Sequence, residues 1–273
     1  MPELPEVETT RLGLLPHLAA QQIAWVHVHQ PRLRWPIPEN LAEMLSGQLI
    51  TEINRRGKYL LFICKTGDYF LIHLGMSGSL RLVEAETALA KHDHVELGLA
   101  SGKILRYHDP RRFGCVLLGE GDVMQHPLLV NLGPEPLSDA FNAAYLYNQT
   151  RTRRSAIKTV IMNAHIVVGV GNIYANEALF LAGIDPRRAA CEVEENQCDA
   201  LVLAIRQVLT AAIAMGGTTL RDFVNSSGQP GYFQQTLQVY DRAGQPCVRC
   251  DKGIVEHTVL GNRSSYFCAG CQK

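Results

Sequence analysis

The spacing of apolar positions changes character twice along this chain. In residues 3–19, Leu4, Val7, Leu14, Leu15 and Leu18 fall near one stripe, which predicts a helix, and Pro2 and Pro5 suit its first turn. Eight short apolar or alternating runs follow: 23–29, 48–53, 59–64, 69–74, 79–83, 93–99, 103–107 and 115–118. Gly, Asp and Asn separate most of them. Short strands at this interval predict a β-sandwich or barrel, interrupted by one helix near 39–46. The segment NLGPEPLSD (131–139) is rich in Pro and Gly and marks a domain boundary. Beyond it the pattern is helical, over 138–149, 155–163, 173–182 and 193–215, with Gly216-Gly217 closing the last helix. Residues 225–235 read as a flexible loop, and the C-terminal segment as short strands around cysteines. The expected fold class is therefore α+β and multidomain, divided as 1–133, 134–236 and 237–273.

Composition adds little to this. The chain has 273 residues, 47% hydrophobic and 19% charged, as ordinary globular proteins do. Lys+Arg 26 balances Asp+Glu 26, so net charge points to no acidic partner. Two local basic stretches stand out, 103–112 (KILRYHDPRR, with only Asp109 against its cations) and 151–158 (RTRRSAIK). Each alone reads as solvated surface charge. No apolar run approaches the roughly 18 residues of a membrane span, and the acidic N-terminus is unlike a leader. The expected location is the cytoplasm, or the nucleoid of a bacterium.

The candidate chemistry lies in a few short motifs. Removal of Met1 would leave Pro2 with a free secondary amine whose pKa is roughly 8, a nucleophile toward a sugar or aldehyde carbon. Glu3 and Glu6 stand three residues apart, on one helical face. The helix dipole would lower the pKa of that amine and the two acids would raise it, so its net shift stays open. At the other end, Cys247-x2-Cys250 and Cys268-x2-Cys271 are separated by seventeen residues. This is zinc-ribbon spacing, and four thiolates make a closed structural site. Cys64, Cys115, Cys191 and Cys198 lack such spacing and read as reduced thiols. Arg263 follows in the ribbon and is either a phosphate contact or a solvated loop residue. In VGVGNIY, Asn172 is the expected N-cap of helix 173–182, where backbone N–H groups suit a phosphate; a plain helix start fits equally. In DPRRFG, Arg111 beside Phe113 could enter a duplex, the ring unstacking a step and the guanidinium pairing an orphaned base. Met76 is a third wedge candidate. Core packing is the alternative for the methionine and the phenylalanine. Lys58, before a strand, is a phosphate contact, an acid/base group or a surface lysine.

Taken together, PELPEVET, RRGKYLL, HLGMSGSLR, KHDHV, RYHDPRRFG, LGPEPL, VVGVGNIYANE, GGTTLRDF, GQPGYF and the CxxC ribbon resemble bacterial formamidopyrimidine-DNA glycosylases from end to end. The resemblance implies an N-terminal catalytic β-sandwich, a helix-two-turn-helix domain and a zinc finger holding one structural Zn2+, with damaged double-stranded DNA in the cleft and a monomeric protein. It implies that Pro2 attacks C1′, that Glu3 is the acid/base, with Glu6 the neighbouring acid, and that Lys58 contacts phosphate and donates a proton during β-elimination. Arg263 would bind the phosphates flanking the lesion. Met76, Arg111 and Phe113 would fill the gap left by the extruded base, and His73, His92, Arg153 and Asn172 would hold backbone phosphates. The loop around 217–233 would close over the flipped base. Endonuclease VIII-like enzymes share the Pro-Glu start but usually begin PEGPE and lack the filling set; here Leu4 stands at the differing position. A non-catalytic zinc-ribbon DNA-binding protein is the remaining alternative.

Overall fold

The computed structural model describes residues 2–217, 236–250 and 252–273. The described residues divide into two compact units, one of 2–130 with 215–217, the other of 131–214 with the described residues from 236 onward. The expected loop at 225–235, and all of the expected lesion loop beyond Gly217 (218–233), lie outside the described residues.

The first unit begins with helix α1 (Leu4–Leu18), followed by β1 (Ile23–Val28), the short helix α2 (Leu41–Leu45), β2 (Ile50–Arg56), β3 (Tyr59–Cys64), β4 (Asp68–His73), β5 (Ser79–Val83), β6 (Asp93–Leu99), β7 (Ile104–His108) and β8 (Cys115–Glu120). The eight strands form two antiparallel four-stranded sheets, ordered β1-β6-β7-β5 and β2-β3-β4-β8. This is the β-sandwich the alternating runs predict. Its core takes Ile53, Phe62, Phe70 and Ile72 from one sheet and Val26, Val95, Leu97 and Leu105 from the other, with Val7, Leu14 and Leu18 of α1 packed in. Phe62 and Phe70 stack at 4.5 Å across β3 and β4. Each such side chain contributes about 1.5–3 kcal/mol by leaving water.

Strand β6 departs from simple alternation, because all seven of its residues are buried. Its polar face carries an ion network. Arg106 pairs with Glu96 at 2.6 Å and donates to the carbonyls of Thr87 and Ala88, while Asp93 receives Arg81, His108 and the Ala90 N–H. Arg106 therefore does not belong to a solvated patch at 103–112; of that stretch's four cations, Arg111 and Arg112 stand exposed and Lys103 is half-buried.

In the second unit, α3 (Ala143–Thr150), α4 (Ile157–Ile161), α5 (Asn172–Ala182) and α6 (Glu195–Ala214) precede the hairpin β9 (Glu256–Leu260) and β10 (Arg263–Phe267). Helix α6 corrects one expectation: by length and composition it is apolar enough to cross a membrane. It packs on α3 and α5, burying Leu201, Val202, Ile205, Val208 and Leu209. Docking of the hairpin uses polar groups. Lys158, from the 151–158 basic stretch, is buried and donates to the Ser264 carbonyl and the Ser265 hydroxyl, both at 2.7 Å. Asn176 accepts from the Tyr266 N–H, and Glu177 from the N–H groups of Gln238, Val239 and Tyr240. Arg151 is turned inward too, onto the Val193 carbonyl.

Candidate active site and metal centre

Helix α1 starts where its sequence says it should. Glu3 is the N-cap, with extended backbone, and Glu6 closes a capping box by accepting the Glu3 N–H at 2.8 Å. Pro2 immediately precedes the cap, which places the candidate nucleophile at the positive end of the helix dipole. Pro2, Glu3 and Glu6 are all buried, the two acids about 1% exposed. Gly217, at φ +81°, lies against Glu6, and a Cβ there would come within 3.0 Å of its carboxylate. Pro2 and the two acids thus share one buried corner, where charge interactions are strong.

Lys58 follows Gly57, whose φ of +57° makes the β2–β3 turn. The lysine is half-buried, and its charge reaches His73 at the end of β4. Burial first, then Lys58 and Arg34, hold His73 down at about 4. Its Nδ1 accepts the Gly75 N–H at 3.0 Å. His73 is therefore neutral at physiological pH, and the tautomer left to it carries its proton on Nε2, a donor able to meet a phosphate oxygen without adding charge.

The wedge candidates occupy two turns that interlock through glycines. One turn spans 74–78 and carries half-buried Met76; the other spans 109–114 and carries exposed Arg111 and Phe113. A Cβ on Gly75 would lie 2.5 Å from the Phe113 carbonyl carbon, and one on Gly114 would lie 2.3 Å from the His73 carbonyl oxygen. Asp109, fully buried, organises the second turn by accepting from Ser77 Oγ (2.7 Å), the Gly114 N–H (2.9 Å) and Tyr107 OH (3.1 Å). The Arg111 guanidinium sits 4.9 Å from the Phe113 ring centroid. Phe113 is 45% exposed, so it is not the core residue that was its alternative. His92, with φ +76°, is half-buried beside His94 and His108.

The second unit carries the remaining candidates. Asn172 is not the N-cap; that position is Gly171, with extended backbone, and Asn172 opens the helix. Two glycines in VGVGN let the chain enter the helix without a side-chain cap. The Asn172 Oδ1 atom is buried with no hydrogen-bond partner, a group with bonding capacity to spare. Arg153 is half-buried, with Nε on the Gln149 carbonyl at 2.8 Å. Arg263 is exposed directly after the turn Gly261-Asn262, where both residues have positive φ, as a two-residue type I′ hairpin needs.

The Sγ atoms of Cys247, Cys250, Cys268 and Cys271 lie within 4.8 Å of one another, with 3.8 Å between Cys247 and Cys271 and between Cys250 and Cys268. A tetrahedron of thiolates at the usual zinc–sulfur distance has edges of about 3.8 Å, so these donors fit that ion. The backbone N–H groups of Lys252 and Gly253 pull Cys250 down to about 6. Cys271, by contrast, is pushed up to about 12 by burial and by its neighbouring thiols. Four thiolates in this space need a cation. Cys64, Cys115 and Cys198 are buried, with thiols raised first by desolvation, and are inert core residues.

Three structural contributors escaped the motif reading: Asp109 as an organiser, the Asp93–Glu96 network and Lys158. Charged residues on the polar positions of a patterned strand or helix carry no signal of burial. For Asp109 alone, the adjoining Pro110 and the later Gly114 could have flagged a tight turn needing an acceptor.

A Pro-Glu start with two buried acids on a β-sandwich, and a four-cysteine ribbon on a separate helical unit, define a class of two-unit proteins whose ribbon can hold a metal ion. Comparison with known proteins narrows it. Residues 1–116 match the formamidopyrimidine-DNA glycosylase N-terminal domain, and residues 132–224 the H2TH domain of the same enzymes. The formamidopyrimidine-DNA glycosylases of Thioalkalivibrio sulfidiphilus and Syntrophotalea carbinolica are 58% and 56% identical over all 273 residues, covering each chain completely. Among solved structures, MutM (Fpg) from Thermus thermophilus has a TM-score of 0.89 at 38% identity, covering 99% of this chain and 98% of that one. A Lactococcus lactis Fpg bound to DNA with an abasic site has a TM-score of 0.92 at 34% identity, covering 99% of both chains. The chain belongs to the formamidopyrimidine-DNA glycosylase family.

Proposed function

We propose that this protein is a bifunctional base-excision-repair enzyme, a DNA glycosylase with abasic-site lyase activity, acting on oxidised purines such as 8-oxoguanine and formamidopyrimidines in double-stranded DNA. The observation that carries this reading is Pro2 set at the N-terminus of a capping-boxed helix with buried Glu3 and Glu6 beside it. Support comes from relatives: Lactococcus lactis Fpg proteins have been solved with Fapy-dG DNA and with abasic-site DNA.

Chemistry on a stacked base requires flipping it out, at a cost of a few kcal/mol. Met76 and Phe113 offset that cost by occupying the gap, and Arg111 pairs with the orphaned cytosine. His73, His92, Arg153, Asn172 and Arg263 grip the backbone as positioning contacts. The free amine of Pro2 then attacks C1′. The C1′–N bond breaks, the base leaves with a proton, and ring opening assisted by Glu3, with Glu6 alongside, gives an iminium. The iminium acidifies C2′–H; loss of that proton breaks the C3′–O bond and expels the 3′ phosphate. A second elimination releases the 5′ phosphate. Lys58 supplies a proton for the first elimination and Arg263 assists the second. The four cysteines hold one structural Zn2+, which supplies folding energy to the ribbon and takes no part in bond breaking. The protein works as a monomer, in the bacterial cytoplasm at the nucleoid.

Borohydride trapping tests the assignment. Native protein incubated with 8-oxoguanine duplex and reductant forms a covalent adduct, and a form that retains Met1 binds the duplex without forming one. Absence of an adduct with native protein sinks the proposed nucleophile. Because one Lactococcus lactis relative has been solved with oxidised-pyrimidine DNA, a thymine glycol duplex run in parallel separates the purine reading from the endonuclease VIII-like one.

A further inference from the structure

The reaction proposed above needs the amine of α1 and the Lys58 ammonium to address one sugar from two different elements. Sites of this kind hold their groups to about 0.5 Å, through supports outside the reacting shell. Glu8 is a candidate for such a support. Glu8, two residues beyond Glu6 on α1, accepts from Arg11 through Nη2 at 2.6 Å and Nε at 3.1 Å, and from Arg55 Nε at 2.8 Å. Neither guanidinium stops there. Arg11 Nη1 donates to the Ile53 carbonyl on β2 (3.2 Å), and Arg55 Nη1 to the carbonyl of Gly57 (3.0 Å), the residue directly before Lys58.

We infer that Glu8 is a positioning residue for the lyase step, clamping α1, through Arg11 and Arg55, to the backbone that presents Lys58. The clamp has two arms, one ending on the Ile53 carbonyl within β2 and the other on the Gly57 carbonyl in the β2–β3 turn, so a slide of α1 along the sheet must break one of them. Glu8 works as an anion. Burial alone would raise its pKa, but the hydrogen bonds and charges of Arg11 and Arg55 outweigh it and hold the carboxyl below its ordinary value. The cluster also borders a cavity of about 510 Å3 lined by Asn54, Arg56, Leu61 and Met124 among others. Water in that cavity can solvate a guanidinium released from Glu8, so removing the charge loosens the clamp without leaving a dry unpaired cation in the core.

This inference rests on the glycosylase/lyase reading, and the experiment separates the two. Full-length Glu8→Gln, Arg55→Lys and the control Glu84→Gln are compared with native protein on a duplex carrying a preformed abasic site. Glu84 pairs with Lys103 at an exposed site on the other sheet. Glu8→Gln lowers the single-turnover rate of strand cleavage between about 10- and 100-fold, the usual range for a displaced supporting shell. Its affinity for a tetrahydrofuran duplex stays within about twofold of native, because an anionic carboxylate offers no attraction to phosphate. The fraction trapped by borohydride before cleavage rises, since elimination now lags behind imine formation. Arg55→Lys, which keeps the charge but loses the arm to Gly57, moves the same quantities in the same direction by less. Cleavage at the native rate in Glu8→Gln overturns the assignment, as does a slowing matched by equal loss of duplex affinity or of thermal stability. Native protein that neither cleaves nor traps overturns the enzymatic reading itself.

Discussion

Two of the small turns that carry candidate DNA contacts are built in opposite ways. The turn 109–114, which carries Arg111 and Phe113, rests on the sandwich core and is shaped by a single buried carboxylate, Asp109, with three donors around it. The turn 261–262, which presents Arg263, belongs to a hairpin that buries little of its own: no residue of β9 is buried and, of β10, Ser265 and Phe267 are. Its shape comes from outside, through Lys158, Asn176 and four thiolates. Where a large core already exists, hydrogen bonds are enough to aim a side chain. Where only a small cluster exists, as around Phe180, Val239 and Val255, polar groups and a four-cysteine site able to take a metal ion add to it.

Perturbing each region should expose that contrast. Chelation of the holoprotein, or Cys268→Ala, removes binding energy of about 10 kcal/mol or more and disorders the ribbon. Duplex affinity then collapses, measured by fluorescence anisotropy, while near-ultraviolet circular dichroism of the sandwich persists. A ribbon that kept its hairpin signals without metal would erase the distinction. Next in size, Asp109→Ala strands the Ser77 hydroxyl and the Gly114 N–H and costs about 3–5 kcal/mol in urea denaturation, with no change in zinc content. The smallest effect is that of pH. Folded His73 titrates near 4, whereas an unfolded histidine titrates near 6.5, so acidification through that window protonates only the unfolded chain. Stability present above pH 6.5 is lost as pH falls toward 4, by about 2 kcal/mol between pH 6.5 and roughly pH 5. His73→Gln flattens that slope; an unchanged slope assigns the loss to other groups.

How far the sequence carries a reader differs between elements for physical reasons. All eight strands of the sandwich, helix α1 and the four-cysteine cluster lie where periodicity and spacing place them, because each is specified by local pattern. Asn172 was misplaced by one position, since side-chain capping rules undervalue a glycine that reaches the extended N-cap conformation unaided. The 103–112 and 151–158 stretches look like surface charge, yet Arg106 and Lys158 are buried. Their acceptors are Glu96 and carbonyls at 87–88 for one, and Ser264 and Ser265 for the other. Such partners are set by tertiary structure, which no window along the chain contains. The hydrogen bonds from Glu8 through Arg55 to Gly57 are invisible for the same reason, although these three residues lie within two conspicuous motifs, PELPEVET and RRGKYLL.

The glycine interlock between the 74–78 and 109–114 turns has a consequence for engineering. Met76, Arg111 and Phe113 project from backbones fixed by Gly75, Gly78 and Gly114, each too close to a neighbour to carry a side chain. The frame and the readers are therefore separable. A library that randomises Met76, Arg111 and Phe113 while freezing the three glycines tests their proposed part in recognising the opposite base on an unchanged scaffold. One that lets the glycines vary is spent mostly on misfolded clones.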